Sequence, residues 1–127
     1  MAQALTDTSA TFAVECISFG VFFKYMKTLD QIRKQLSGGE FEFSRHAFKR
    51  VVERNIADQE IREAGAQASV IEDYPDDKYS HSCLLLGFIQ TGRPLHIQVS
   101  LAETELVTII TIYEPDPNEW VNYTTRR

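Results

Sequence analysis

Between Ser82 and Tyr113 the chain runs through three apolar-rich stretches, SCLLLGFIQ, RPLHIQVSL and LVTIITIY, parted by Thr91-Gly92 and by Ala102–Glu105. β-Branched and large apolar residues with a period of two predict three antiparallel strands joined by tight turns. Thr91-Gly92 suits a two-residue hairpin turn, since glycine accepts positive φ. That turn pairs Leu86 with Ile97 and Leu84 with Val99. A turn at Glu103-Thr104 pairs Ile97 with Ile110 and Leu95 with Ile112. In this register one face carries Leu84, Leu86, Phe88, Leu95, Ile97, Val99, Leu101, Leu106, Ile110 and Ile112, with Thr108 as its only polar member. This is the expected core face. The other face is mixed: Cys83, Leu85, Gly87, His96, Gln98, Ser100, Val107, Ile109, Thr111 and Tyr113.

Upstream, the period changes to that of helices. Thr28 and Gln31 form a capping-box pair ahead of Leu29, Ile32 and Leu36, with Lys27, Arg33 and Lys34 on the solvated side. Gly38-Gly39 ends this helix. Glu40–Phe43 reads as a short strand, and Ser44 as the cap of a second helix. In that helix Ala47, Phe48, Val51 and Val52 share the face expected to dock on the core. Asn55 closes it, and acids open a third helix in which Ile61 and Ala64 face inward. Ser69–Tyr74 is a further strand, stopped by Pro75. Asp76–His81 is a loop without the calcium-loop pattern. Glu114-Pro115-Asp116-Pro117 stops the last strand, Trp120 is expected to tuck onto the sheet, and Arg126-Arg127 reads as an exposed basic tail.

Residues 1–25 are expected to be an extension that starts disordered. Phe12–Phe23 is apolar but contains Glu15, Ser18 and Gly20, and it lacks the flanks of a signal peptide. Three readings stay open: an element packed on the domain, a dimer contact, or an upstream addition to a chain whose natural start is Met26. Residues 26–127 are expected to form a single α+β domain.

The chain of 127 residues is 43% hydrophobic and 24% charged, ordinary for a globular protein. Cys16 and Cys83 stand far apart without metal-ligand spacing, which points to a reducing, cytoplasmic compartment and no disulfide framework. No apolar run approaches the ~20 residues of a membrane helix. No metal site or cofactor is expected, and oligomeric state is not legible.

The net charge of −5 disfavours nonspecific nucleic-acid binding. The charge is uneven, however. Arg45, Lys49, Arg50 and Arg54 stand with His46 and the single acid Glu53 on the second helix, whereas Glu72–Asp77 holds four acids and no base. His46, Arg50 and Arg54 fall at i, i+4 and i+8, one stripe along the helix flank. The stripe is open to two readings: a solvated edge with Lys49 and Glu53 pairing locally, or a phosphate site matched to arginine's fork. His96 is likewise open to two. It is a half-buried strand histidine bonded to Thr111 or water, or a functional imidazole beside Tyr113 with room left by Gly87. The functional reading of His96 requires the register above and an unsealed ring.

The motifs SRHAFKRVVERNI, VIEDYPDD, SCLLLGF, GRPLHIQVS and TIYEPDPNEW resemble those of a bacterial family, domain-of-unknown-function family 4258, over residues 40–120. The layout of that family in turn resembles bacterial ribonuclease toxins of the RelE and BrnT type. The resemblance implies an α+β fold in which an N-terminal strand and two helices pack on one face of a twisted antiparallel sheet, here with an extra N-terminal helix. It also implies RNA as substrate and an antitoxin-like protein as partner, with His46, Arg50, Arg54, His96 and Tyr113 as the catalytic set. Histidine and tyrosine would serve as base and acid, and arginine would neutralise the phosphorane. The sequence departs from such toxins in charge: residues 40–127 hold nine Lys/Arg against fifteen Asp/Glu, a net −6. The competing expectations are a non-catalytic interaction module, and a structural domain whose basic stripe pairs with Glu72, Asp73, Asp76 or Asp77.

Overall fold

The computed structural model describes residues 26–78 and 80–127. The readings of residues 1–25, including the apolar stretch and Cys16, lie outside the described residues. Three helices, α1 (Leu29–Ser37), α2 (Arg45–Glu53) and α3 (Asp58–Ala66), accompany strands β1 (Phe41–Phe43), β2 (Ser69–Tyr74), β3 (Ser82–Phe88), β4 (Pro94–Ser100) and β5 (Val107–Tyr113). The strand order is β1-β5-β4-β3-β2. The sheet is mixed, not purely antiparallel, because β1 runs parallel to β5. The crossover through α2, α3 and β2 makes this possible, since parallel neighbours need a long connection. A two-residue ladder, β6 (Trp120–Val121) with β7 (Thr125–Arg126), completes the described elements.

The local signals for the helices act as expected. Thr28 Oγ1 accepts from the Gln31 N–H at 3.1 Å, and Gln31 Oε1 accepts from the Thr28 N–H at 2.8 Å. Ile32 and Leu36 are fully buried. Ser44 Oγ accepts from the Ala47 N–H and donates to the Ile110 carbonyl, which ties the start of α2 to β5. Asn55 closes α2 at φ 53°, and Ile56 anchors the chain into the core. Two expectations, one of exposure and one of burial, fail. Lys27 is buried, its Nζ donating to Gln35 Oε1 and the Thr104 carbonyl. Phe48 and Val52 do not dock: they are 59% and 65% exposed, and only Ala47 of that face is fully covered. Arg126 and Arg127 are exposed as expected, and Arg126 in addition pairs with Glu72 at 2.9 Å.

The sheet register also differs, and turn geometry is the reason. The β3–β4 turn holds three residues, Gln90, Thr91 and Gly92, closed by Ile89 N–H to Arg93 O at 3.0 Å with Gly92 at φ 99°. A left-handed glycine at the end of a three-residue loop is a common hairpin closure. One added turn residue moves β3 by one position, so Leu86 pairs with His96, Leu85 with Ile97 and Gly87 with Leu95. Every β3 side chain therefore changes face. On β5, Gln98 pairs with Thr111 and Val99 with Ile109, a bulge that skips Ile110. Val107 and Ile109 thus join Ile112 in the core, while Thr108 and Ile110 turn to the opposite face.

All three helices cover one face. Its core gathers Ile32, Leu36, Ile61, Ala64, Cys83, Leu85, Leu95, Ile97, Val99, Val107, Ile109 and Ile112. Gly87 belongs to this face: a Cβ there would lie 2.0 Å from the Ala64 carbonyl oxygen. Its role is to admit α3 to the sheet, not to clear space above His96. Burial pushes the Cys83 thiol up to about 12, which leaves it a protonated apolar packing group.

Candidate functional site

The opposite face holds His96, and here the C-terminal segment decides the outcome. His96 has no exposed surface. Trp120 meets its ring edge-on with centroids 4.5 Å apart, and Tyr113 stands directly across the ladder at 5.2 Å. The β6–β7 turn carries Asn122 at φ 53° and Tyr123 at φ 63°. Two successive left-handed residues make the tight, mirror-image turn typical of short hairpins. This turn aims the Tyr123 carbonyl at His96 Nε2, 2.6 Å away. A carbonyl can only accept, so Nε2 carries the proton. His96 Nδ1 is then the acceptor for the Tyr113 hydroxyl at 3.2 Å. Burial lowers the imidazole pKa and so keeps the ring neutral, in agreement with this arrangement. Burial likewise raises the Tyr113 phenol. His96 is thus sealed from any ligand, and the open surface expected at its ring does not exist.

The seal is itself clamped. Arg126 donates from Nε and Nη2 to both carboxylate oxygens of Glu72, at 2.9 and 3.1 Å, and its guanidinium lies 4.6 Å from the Trp120 ring centre. The Arg126 hydrogen bond is the main reason the Glu72 carboxyl sits below its ordinary range. Tyr74 donates to Glu72 as well, and burial, then this bond, push its phenol up to about 12.

In front of Tyr113 lies an open cleft of about 330 Å³ lined by Arg50, Arg54, Thr111, Tyr113, Glu114, Asp116 and Glu119. α2 supplies Arg50, and the residue that caps its C-terminus, Arg54, follows one helical turn later. The end of β5 supplies Tyr113, and the proline-flanked loop after it supplies the carboxylates. Among the described residues neither Arg50 nor Arg54 has a carboxylate within 4.0 Å. The expected pairing of the basic stripe with the acids of residues 72–77 is therefore absent: Glu72 serves Arg126, Asp73 bonds His81, and Asp77 accepts from Ser82 and Gln98. Lys49 and Glu53 do not pair either.

Of the five residues singled out from sequence, the fold brings Arg50, Arg54 and Tyr113 to one cleft and sets His96 directly behind Tyr113. His46 goes elsewhere. It approaches Arg50 Nε at 3.4 Å but lines a separate, largely apolar groove with Ser44, Ser80, Ser100, Ala102, Thr108 and Ile110. Arg93 was missed. It donates to Glu60 at 2.9 Å, Glu114 at 2.7 Å and the Arg54 carbonyl at 3.3 Å, fixing one carboxylate of the cleft and the end of α2. Nothing in its sequence context distinguishes it from a surface turn arginine. Tyr123 and Trp120 were missed as partners of His96 because their contact spans the whole sheet face. Among the described residues no group of three or more His, Cys, Asp and Glu side chains is placed to hold a metal ion, and no helix is long and apolar enough to cross a membrane.

A family model described as Domain of unknown function (DUF4258) matches residues 43–114, more than half of the chain. The chain belongs to this family. The DUF4258 match takes in α2 with both cleft arginines, the histidine strand and Tyr113, and it stops at Glu114. The hairpin that seals His96, and Glu119, follow the matched region. Comparison with the curated proteins and with the solved structures returns no match.

Proposed function

We propose that the chain is a toxin-like or diverged endoribonuclease acting in the cytoplasm, with the cleft of Arg50, Arg54 and Tyr113 as its catalytic centre. One observation carries this reading: two arginines with no carboxylate within 4.0 Å among the described residues, and a tyrosine held by a buried neutral imidazole, line the same open cleft. A strand, two helices and an antiparallel strand run in that order are also the layout of RelE- and BrnT-type toxins. The arginine forks suit a phosphodiester, and the cleft admits one.

The chemistry assigned to the cleft is transesterification. Glu119, which lines the cleft, takes the proton of the ribose 2′-hydroxyl. The 2′-oxygen bonds to phosphorus, and the bond from phosphorus to the 5′-oxygen breaks. Tyr113 gives its proton to that leaving oxygen, leaving a 2′,3′-cyclic phosphate and a 5′-hydroxyl. A phenol raised by burial keeps its proton until the leaving oxygen demands it. Arg50 and Arg54 offset the charge that builds on the phosphorane. His96 is a positioning residue: its Nδ1 accepts from the Tyr113 hydroxyl at rest, and the O–H turns from Nδ1 to the leaving oxygen as the proton is transferred.

The test is incubation of the purified full chain with end-labelled RNA. Cleavage to cyclic-phosphate ends is expected, falling by about 10²-fold in Tyr113→Phe and by at least as much in Arg50→Ala/Arg54→Ala. Intact RNA with the wild-type chain, or equal breakage by the variants, refutes the reading. A second reading is a non-catalytic interaction module. It is favoured by Glu114, Asp116 and Glu119 on the same cleft, which oppose entry of a polyanion. Intact RNA would assign the cleft to that role, for instance toward a cationic segment of a partner protein.

A further inference from the structure

We propose that the outer flank of α2 and the adjoining edge of β1 form a docking surface for an acidic amphipathic helix of another protein. The surface is a strip of four apolar side chains: the exposed Phe48 and Val52, and beside them Phe41 and Phe43, which are partly buried against the core. The rings of Phe41 and Phe43 meet edge-on at 5.6 Å, and Phe43 and Phe48 lie 6.4 Å apart. Phe48 is 59% exposed and Val52 65%. These two stand side by side, one helical turn apart. β1 is the end strand, so no further strand covers this side among the described residues. Scattered exposed apolar groups are ordinary, but a contiguous aromatic-aliphatic strip at a sheet edge marks an interaction site.

The cations beside the strip indicate what covers it. At 100° per residue, Arg45 and Lys49 follow Phe48 and Val52 round the helix. Neither has a carboxylate within 4.0 Å among the described residues, although the chain carries a net −5. An apolar centre with unneutralised cations on one rim complements a helix whose apolar ridge is bordered by Glu or Asp. The one-turn spacing of Phe48 and Val52 offers the ridge on which a second helix packs. A second copy using the same patch about a two-fold axis would bring Arg45 and Lys49 of both copies together, which like charge opposes. Arg50 and Arg54 project from the opposite flank of α2, so this surface does not depend on the RNA reading.

The probe is a synthetic fluorescein-labelled helical peptide with leucines at i, i+3, i+4 and i+7 and flanking glutamates, titrated by anisotropy with the full chain. Saturable binding is expected. It weakens about tenfold or more in Phe48→Ser/Val52→Ser, with an unchanged thermal melt, since both positions are exposed. Arg45→Glu/Lys49→Glu is expected to lose the glutamate peptide and to gain a lysine-flanked one. No saturable binding by the wild-type chain, or equal binding of both peptides, overturns the proposal. So does a concentration-dependent dimer that Phe48→Ser abolishes, which would give the strip to a second copy. Displacement of the peptide by a single-stranded oligoribonucleotide would give it to nucleic acid and overturn the proposal likewise.

Discussion

Replacing Gly87 with alanine tests the observed register directly, because the two registers predict opposite signs. In the structure the added Cβ would lie 2.0 Å from the Ala64 carbonyl oxygen, 2.6 Å from its carbon and 3.0 Å from its Cα. All three are helix backbone, and no rotamer change relieves them. Reaching an ordinary 3.4 Å contact requires α3 and β3 to part by about 1.4 Å. That separation loosens Ile61, Ala64 and Ala68 against the sheet, all of them fully buried. Overpacking of this kind costs about 3 kcal/mol, at the top of its usual range because the clash is with backbone. The loss of glycine's freedom in the unfolded chain returns less than ~1 kcal/mol. The net is about 2 kcal/mol, or roughly 8 °C in Tm for a chain of this size. If Gly87 instead faced the side of His96, as the two-residue turn predicts, the methyl would enter that face and only the entropic gain would remain. Urea unfolding followed by Trp120 fluorescence and by circular dichroism measures the difference. An unchanged or raised midpoint for Gly87→Ala would refute both the close approach of α3 and the register.

Further expectations follow from the same contacts. His96 is neutral when folded, with a pKa below the 6.5 of the unfolded chain. Its contribution to stability is therefore complete above pH 6.5 and is lost as pH falls from there toward the folded value. Tm measured from pH 7.5 downward should show a loss between those two points that His96→Gln lacks; parallel curves would contradict the seal. Arg126→Ala removes an exposed ion pair and a ring contact, costing about 1 kcal/mol. It should also red-shift Trp120 emission and move the His96 titration, followed by NMR, back toward its ordinary range. Ser44→Ala removes the cap of α2 and a donor to the Ile110 carbonyl, for about 1–2 kcal/mol in urea unfolding. Cys83, buried with its thiol at about 12, should resist iodoacetamide at neutral pH in the folded chain and react on unfolding, as peptide mass mapping would show.

Much of this molecule is written in short-range signals. Thr28 with Gln31, Ser44, Asn55 and Pro75 act through groups within a few residues, and each starts or stops its element where the pattern says it should. The stripe of Arg50 and Arg54 is equally local, since helical spacing alone puts them together. The faces of the strands are another matter. A two-residue and a three-residue turn are both compatible with Gln90-Thr91-Gly92, and the choice between them inverts every side chain of β3. Leu84, Leu85 and Leu86 are consecutive and all buried, so hydrophobicity could not say which of them meets the helices. The bulge at Ile110 is invisible for the same reason, because Ile109 and Ile110 are alike.

The sequence by itself determined the three helices and the strands β1 to β5, their order along the chain, the family and the cationic flank of α2, because these rest on composition and on contacts between near neighbours. Only the tertiary structure decided what surrounds His96. Its partners, Tyr113, Trp120 and Tyr123, lie 17 to 27 residues downstream and reach it by folding across the sheet. It likewise decided that Phe48 and Val52 stay in water, since helix periodicity names an apolar face but not whether another element arrives to cover it. A side chain's environment is the sum of distant choices of turn length and register, and one residue more in a single hairpin was enough to change it.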